Sequence, residues 1–545
     1  MNITRLKSCV LIAAVALGVG TVVAADAATP KKGGILKYVV PDEPPSFDGH
    51  RETTFALIHP IRPFYSLLIR VNPDNPASPT DFVCDLCEGK VPQPTDGGKT
   101  YTFKIRSGVK FHTGETLTAQ DVLATYKKII FPPEGVVSAR KAYYTMVESV
   151  EAPDDHTVVF KLKYPSGACI PALAVPFNFI YQKAKLDKDM HWYEKNIDGT
   201  GPFRFKEREA GAVIRGERNP DYYMKGRPYL DGFEAIFAKK ESLRVQAIRG
   251  DRAAIEFRSF PPKSRDDLVQ ALGKEITVEE SPWNCGLIIT PNHKHKPFDD
   301  VRVRRALTLA VDRWGGSKYL SKIAIVKTVG GIAFPGHPLA ASKEELQKIA
   351  GYWPDIKKSR AEAKRLLKEA GADLSKTYYF NNRAVDQPYK IVGTWLIDQW
   401  KQVGLKFEQH VFPTGPFYDM LRQKKEFDVS IDFNCQSVVN PLLDVSKYLS
   451  DTRSKSQYGQ YQDAEVDALF DKMNQSGDTK EQRKLMRQME KDKDEFFENM
   501  RQATVAGMFA NPEYGGNHDK AGWKLIGFDD RFSWAEPFGW YDRNV

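Results

Sequence analysis

The sequence predicts an α/β protein of more than one folding unit, and three observations carry that expectation. Its 545 residues exceed the roughly 100–200 residues of one domain. Hydrophobic residues at 41% and charged ones at 27% match a globular chain with a large core. Apolar residues alternate with polar ones in the first half, whereas in the second they recur at helical spacing between strand-like runs. The formal charge of +9 at pH 7 is spread along the chain without a Lys/Arg block of the nucleic-acid-binding kind, so basicity names no partner.

Arg5 and Lys7 precede an apolar run from Val10 to Val23, which ends in the small residues Ala24, Ala25, Ala27 and Ala28. That order is a secretory signal peptide over residues 1–28, cleaved near residues 25–28, and it predicts a periplasmic protein. The run is shorter than the roughly 20 apolar residues that span a bilayer. Loss of Arg5, Lys7 and Asp26 leaves the mature chain one positive charge lower.

After Gly33-Gly34, the apolar Ile35 to Val40 reads as a strand, followed by the Pro-rich loop Pro41 to Pro45. Tyr101, Phe103 and Ile105 alternate with polar residues, which predicts a half-buried strand. Thr118, with Asp121 three residues on, has N-cap chemistry, and Ala119, Val122, Leu123 and Tyr126 then follow at helical spacing. Val158, Phe160 and Leu162 predict a further strand, ended by Pro165.

Beyond Asp299-Asp300, the stripe Val303, Ala306, Leu307 and Ala310 predicts a buried helix face. Ser359 and Glu362 read as a capping box ahead of Ala363, Leu366, Leu367 and Ala370, with Gly371 as the stop. Val392, Trp395, Leu396 and Val403 repeat the helical pattern, and Asp463 caps a helix buried through Val466, Leu469, Phe470 and Met473. Strand-like runs at Lys406 to Val411 and Phe427 to Phe433 separate these helices, which is the pattern of an α/β lobe.

No nucleophile elbow, metalloprotease helix, Walker loop or dinucleotide fingerprint occurs, so no catalytic residue, metal site or cofactor is expected. His293 and His295 sit in a polar, Pro-flanked turn and read as surface. Five cysteines lie beyond the signal segment. Cys84 and Cys87 form the single close pair, a candidate local disulfide; unpaired thiols or a metal are the alternatives, the latter lacking a second pair at zinc spacing.

The stretches GTGPFRFKEREAGAVIRGERNPDYY (199–223) and PFDDVRVRRALTLAVDR (297–313) strongly resemble the extracellular solute-binding proteins of family 5, the dipeptide-, oligopeptide- and nickel-binding components of ABC importers. The resemblance continues at 33–50, 100–122, Gly250-Asp251 and YGQYQDAEVDALFDKM (458–473). It implies a two-lobed periplasmic binding protein, type II-like, with an extra subdomain in the first lobe. Its expected layout is a first lobe at 33–286, containing an inserted subdomain at about 70–195, a second lobe at 287–489, and a C-terminal segment at 490–545 that returns to the first lobe or docks a partner. The implied activity is not enzymatic: capture of a small solute between the lobes and delivery to an ABC permease in the inner membrane, by a monomer that binds no nucleic acid. Arg304, Arg305 and Asp312 mark the family but read as helix surface and lobe packing.

In peptide-binding relatives, the region equivalent to 427–444 commonly provides an aspartate for the peptide's ammonium group, near a D-Y-x-D-P-like segment. Here it reads Asn434-Cys435-Gln436-Ser437-Val438-Val439-Asn440-Pro441, and the acid is missing. Peptides therefore share the expectation with other amines, opine-like and sugar-like solutes. The candidate ligand contacts are Trp283, Asn284, Asp432, Asn434 and Gln436, with Asp444 as another nearby acid.

The end of the chain departs from this pattern. Phe509, Pro512, Tyr514-Gly515-Gly516-Asn517 and Gly522-Trp523-Lys524 resemble the C-terminal motif of gluconate 2-dehydrogenase subunit 3, small exported partners of membrane-bound flavin dehydrogenases. Residues 496–545 hold 11 aromatic residues, a density that suits packing or a partner surface. The second functional expectation is thus an accessory subunit of such a dehydrogenase, docked through this tail.

Overall fold

The computed structural model describes residues 32–75, 78, 80–256, 260–278, 285–324, 329–333, 335, 337–435, 438 and 440–490. Among these, no helix is long and apolar enough to cross a membrane.

The first lobe contributes β1 (Ile35–Val40), β2 (Ile69–Val71), β3 (Phe82–Cys84), β4 (Thr100–Lys104), β5 (Val147–Asp154), β6 (Thr157–Leu162), β7 (Phe203–Glu209), β8 (Val213–Arg218), β9 (Gly232–Phe237) and β10 (Ile255–Glu256). Its main sheet runs β10-β1-β9-β8-β7, with β1 parallel to both of its neighbours. Strands β2–β3 and β4-β6-β5 form two separate sheets, in the part of the chain where the inserted subdomain is expected. The predicted alternation holds in β4, where Tyr101 and Phe103 are buried and Thr102 and Lys104 exposed. The capping box is present too: Asp121 Oδ2 accepts from Thr118 N–H at 2.8 Å, opening the helix Ala119–Ile130. The GTGPF motif has a packing cause. Gly201 N–H donates to Phe64 C=O at 3.0 Å, and a Cβ on Gly199 would collide with that same carbonyl.

The second lobe holds β11 (Cys285–Pro291), β12 (Thr377–Arg383), β13 (Lys406–Phe412) and β14 (Val429–Cys435) in the order β11-β14-β12-β13. The helices Val301–Ala310, Ile356–Glu369 and Ile391–Lys401 share its core cluster through Val303, Leu307, Leu366, Leu396 and Trp400. Asp300 caps the first of these helices. Ser359 does not cap the second, which begins a turn earlier, because Asp355 Oδ1 accepts from the N–H groups of Lys357 and Lys358. Ser359 is instead buried inside that helix and donates to Leu309 C=O at 2.7 Å. The family-marking residues are structural. Arg304 donates to the carbonyls of Phe298 and Asp299, and Asp312 Oδ1 caps the helix Arg313–Ile323 through Gly315 N–H.

The last described stretch, 438–490, packs against both lobes. Val438, Leu442, Leu449, Val466, Phe470, Met486 and Met489 belong to the same apolar cluster as Leu57, Phe103 and Phe160 of the first lobe. That cluster also takes in Ile332, Ala333 and Leu339 of the expected second lobe, and Lys447, Gln460 and Arg483 donate there to Phe433 C=O, Asn292 Oδ1 and Ala340 C=O. Asp463 caps the helix Ala464–Gln475 as expected, and Thr479–Glu490 is the last described helix.

Cys84 is bonded to Cys87. Cys285 and Cys435, read from sequence only as thiols without a close partner, also form a disulfide. They face each other across the β11–β14 pair with their Cα atoms 4.0 Å apart, the spacing of a narrow antiparallel pair. Cys169 is buried and free.

Candidate functional site

The two lobes meet across a buried, charged seam. From the first lobe come Asp42 and Glu52-Thr53, which follow β1, and Arg140. From the second come Arg383 at the end of β12, Thr414, Tyr418 and Arg422 beyond β13, and Asp432 and Asn434 on β14. The segment after β14 adds Asp444, Lys447 and Tyr458. Residues 432 and 434 fall on one face of β14 because side chains alternate along a strand.

Three contacts close the lobes on each other. Arg422 Nη1 donates to Glu52 Oε2 at 2.7 Å, and Nη2 donates to Thr53 Oγ1 at 3.0 Å. Thr414 Oγ1 donates to Asp42 Oδ2, which also lies 3.4 Å, through Oδ1, from Lys239 Nζ. Arg383 then donates to Thr414 Oγ1 from Nε at 3.2 Å and from Nη2 at 2.9 Å, and to Tyr389 Oη at 3.2 Å. Tyr418 donates to Asp432 Oδ1 at 3.0 Å, and its ring is 4.7 Å from the Arg422 guanidinium carbon.

Burial pulls on each of these charges, and the partners decide the outcome. For Arg383, burial disfavours the cation, but Tyr418, Tyr389, Asp42 and Asp432 outweigh it and hold the guanidinium above its usual value. Arg422 behaves likewise, with Glu52 its main support. Arg140 has less help: burial brings it down to about 10, and among the described residues it donates to the carbonyls of Gly49 at 3.0 Å and Glu52 at 2.6 Å while stacking 3.7 Å from the centre of Phe177.

A cavity of about 30 Å³ opens in this seam, lined by Arg140, Tyr143, Phe177, Asn434, Asp444 and Lys447 among others. A smaller one of about 10 Å³ adjoins it, sharing Lys447 and Ser456 and reaching Asp432, Gln457 and Tyr458. A site of this kind, with aromatic walls and a few polar groups, orients a desolvated ligand. Among the described residues no cluster of His, Cys, Asp or Glu has the arrangement to hold a metal ion.

Of the residues expected from sequence, Asp432 and Asn434 lie in this seam, while Trp283, Asn284 and Gln436 lie outside the described residues. Arg140, Arg383, Arg422, Glu52 and Lys447 were not among the expected contacts. They come from five separate stretches that only the fold brings together: Glu52 and Arg140 in loops, Arg383 at a strand end, and Arg422 and Lys447 inside short helical turns.

The profile of the bacterial extracellular solute-binding proteins, family 5, matches residues 82–456. The chain belongs to this family. Its sequence is 30% identical over 355 residues to di/tripeptide-binding protein 1 of Pseudomonas aeruginosa, a stretch covering 59% of this chain and 62% of that protein. To the oligopeptide-binding protein AppA of Bacillus subtilis it is 30% identical over 353 residues, 63% of this chain and 61% of that one. The matched stretches thus span a little over three fifths of these family 5 relatives. Among solved structures, AppA of B. subtilis in complex with a nonapeptide superimposes with a TM-score of 0.74 at 22% identity, covering 94% of this chain and 99% of that one. AgaA of A. tumefaciens R10 in complex with agropinic acid gives 0.76 at 22% identity, with 94% and 98% covered. These neighbours share the two-lobed α/β fold. A second profile, gluconate 2-dehydrogenase subunit 3, matches residues 436–530.

Proposed function

We propose that this family 5 protein is an exported, periplasmic receptor of an ABC importer. It captures a peptide or a similar small solute in the seam between its lobes and hands it to a membrane permease. The observation that carries the reading is the seam itself. Ionisable groups from both lobes line a shared buried cavity, and Arg140 and Lys447 have no carboxylate partner among the described residues. Closure around a solute draws its energy from contacts made with both lobes at once, and Asp432, Asn434 and Lys447, which line the cavities, are the candidates to make them. The names of the curated relatives favour short peptides, and the agropinic acid complex favours an opine-like solute; both are small molecules with carboxylates.

The test is ligand-dependent stabilisation of the mature protein, since a solute that binds only the folded state raises the melting temperature. Native mass spectrometry of the purified protein should find a co-purified small molecule. If a broad panel of peptides, opines, amines and sugars leaves the melting temperature unchanged, the receptor reading fails.

The match at 436–530 supports a second reading, an accessory subunit of a membrane-bound flavin dehydrogenase docked through residues 490–545. Pull-down of a flavoprotein that depends on those residues would favour it.

A further inference from the structure

Strands β11 and β14 pair along their whole length, from Cys285 opposite Cys435 to Pro291 opposite Val429. This one pair supplies walls to both cavities of the seam. Ile288 and Thr290 on β11 and Asp432 on β14 line the smaller, and Asn434 and Cys435 on β14 line the larger. The register sets Gly286 opposite Asn434 and Ile288 opposite Asp432, and the Cys285–Cys435 bond closes the ladder one residue from Asn434. The disulfide is therefore part of the cavity wall. Cys435 is half-buried there, whereas Cys285 behind it is buried. The second disulfide differs: Cys84 and Cys87 are both buried and line neither cavity.

A disulfide is cut by a thiolate that reaches one of its sulfurs, so the cavity is the approach to this bond. At about 30 Å³ it holds about two waters and has no room for a thiol reagent. Arg422 with Glu52, and Thr414 with Asp42, keep the seam in that closed state. We propose that Cys285–Cys435 is a thiol-exchange site in the wall of the solute cavity, reached at Cys435 by a small dithiol when the lobes part, and that its redox state sets solute affinity. The dithiol's thiolate attacks Cys435 Sγ, the S–S bond breaks, and Cys285 leaves as a thiolate that takes a proton. The reductant's second thiolate then attacks its own sulfur in the mixed disulfide. Cys435 leaves and takes a proton, and the reductant departs as its disulfide. Two electrons and two protons have passed to the protein. The oxidised pair fixes the end of β14 beside Asn434 and binds solute tightly; the reduced pair leaves that end held by the ladder alone and binds it weakly. Coupling between two binding events is reciprocal, so a bound solute protects the disulfide in turn.

The proposal rests on the receptor reading and is tested beside it, with dithiothreitol as the reductant. The solute is whichever member of the panel of peptides, opines, amines and sugars raises the melting temperature most. Wild type and Glu52→Gln are reduced with and without it, and the thiols are trapped by alkylation and assigned by peptide mass spectrometry. Cys285–Cys435 should open at least tenfold faster in Glu52→Gln than in the wild type, and at least tenfold more slowly in the wild type with solute. Cys84–Cys87 should keep one rate throughout. At equilibrium, solute bound tenfold tighter by the oxidised form moves the midpoint of Cys285–Cys435 about 30 mV more negative. Calorimetry on the double variant Cys285→Ser, Cys435→Ser, below its melting temperature, should show at least tenfold weaker solute binding. If that variant does not fold, the midpoint in the wild type decides. Equal rates in wild type and Glu52→Gln, equal protection of both disulfides, or a midpoint that ignores a bound solute overturns the proposal alone. A panel in which nothing binds overturns the receptor reading together with it.

Discussion

Arg422 of the second lobe reaches Glu52 of the first at 2.7 Å, and both side chains are buried, at 6% and 1% exposed. This ion pair joins the lobes where water has been removed, so its loss is felt as an uncompensated charge. Breaking a buried pair by removing one partner costs about 3–5 kcal/mol.

Glu52→Gln is therefore expected to lower stability by about 3 kcal/mol, the low end of that range because the amide oxygen still accepts from Arg422. It should also leave the lobes further apart on average. Urea unfolding checks the first effect, and the radius of gyration from small-angle X-ray scattering checks the second. An unchanged radius would mean that the contacts of Thr414 with Asp42 and of Arg422 with Thr53 suffice to hold the lobes together.

The bond between Cys285 and Cys435 closes a loop of 150 residues. Cys285→Ser should cost about 2–5 kcal/mol, in line with the loss of other native disulfides. The same drop should follow mild reduction of the wild type and be absent when the variant is reduced. Cys84–Cys87, which spans three residues, should contribute much less. Comparing the two single variants by chemical denaturation separates them.

Gly199→Ala puts a methyl group against the Phe64 carbonyl. Overpacking of this kind costs about 1–3 kcal/mol, and the loss should appear as a lower melting temperature. Gly211→Ala, whose Cβ would meet nothing within 4 Å, is strained only through its φ of +72°, so it should cost less than Gly199→Ala.

His50 is buried, and its Nε2–H donates to Phe179 C=O at 2.9 Å. Burial first, and then the nearby Lys128 charge, lower its pKa from 6.5 to about 3. The unfolded chain thus binds a proton that the folded one refuses. The contribution of His50 is complete above pH 6.5 and is lost as pH falls towards 3, by about 1.4 kcal/mol per pH unit. Urea unfolding across that range should show the slope, and His50→Gln should reduce it by one proton. If the slope is unchanged, His50 is already protonated in the fold.

The sequence carried the local structure well, because periodicity and caps act over a few residues. Tyr101 and Phe103 declare a strand, and Thr118 with Asp121, or Asp463 alone, declares a helix start. Ser359 misled for an equally local reason: it has capping chemistry, but Asp355 stands one turn earlier and takes the role. The seam was much less legible. Asp432 and Asn434 were expected there because β14 sits in a recognisable stretch. Glu52, Arg140 and Arg422 had no such cue, since pairing residues 370 positions apart depends on how two sheets face each other. How 438–489 divides its contacts between the two lobes was hidden too, because an amphipathic helix announces that it has a buried face but not which core receives it.

The Cys285–Cys435 bond has a mechanical side as well. Cys285 opens β11 and Cys435 ends β14, so the bond ties two strand ends of one sheet at a single point. Like a knot in paired cords, it lets the two strands twist together but not splay there, and any movement of this end of the sheet carries both strands with it.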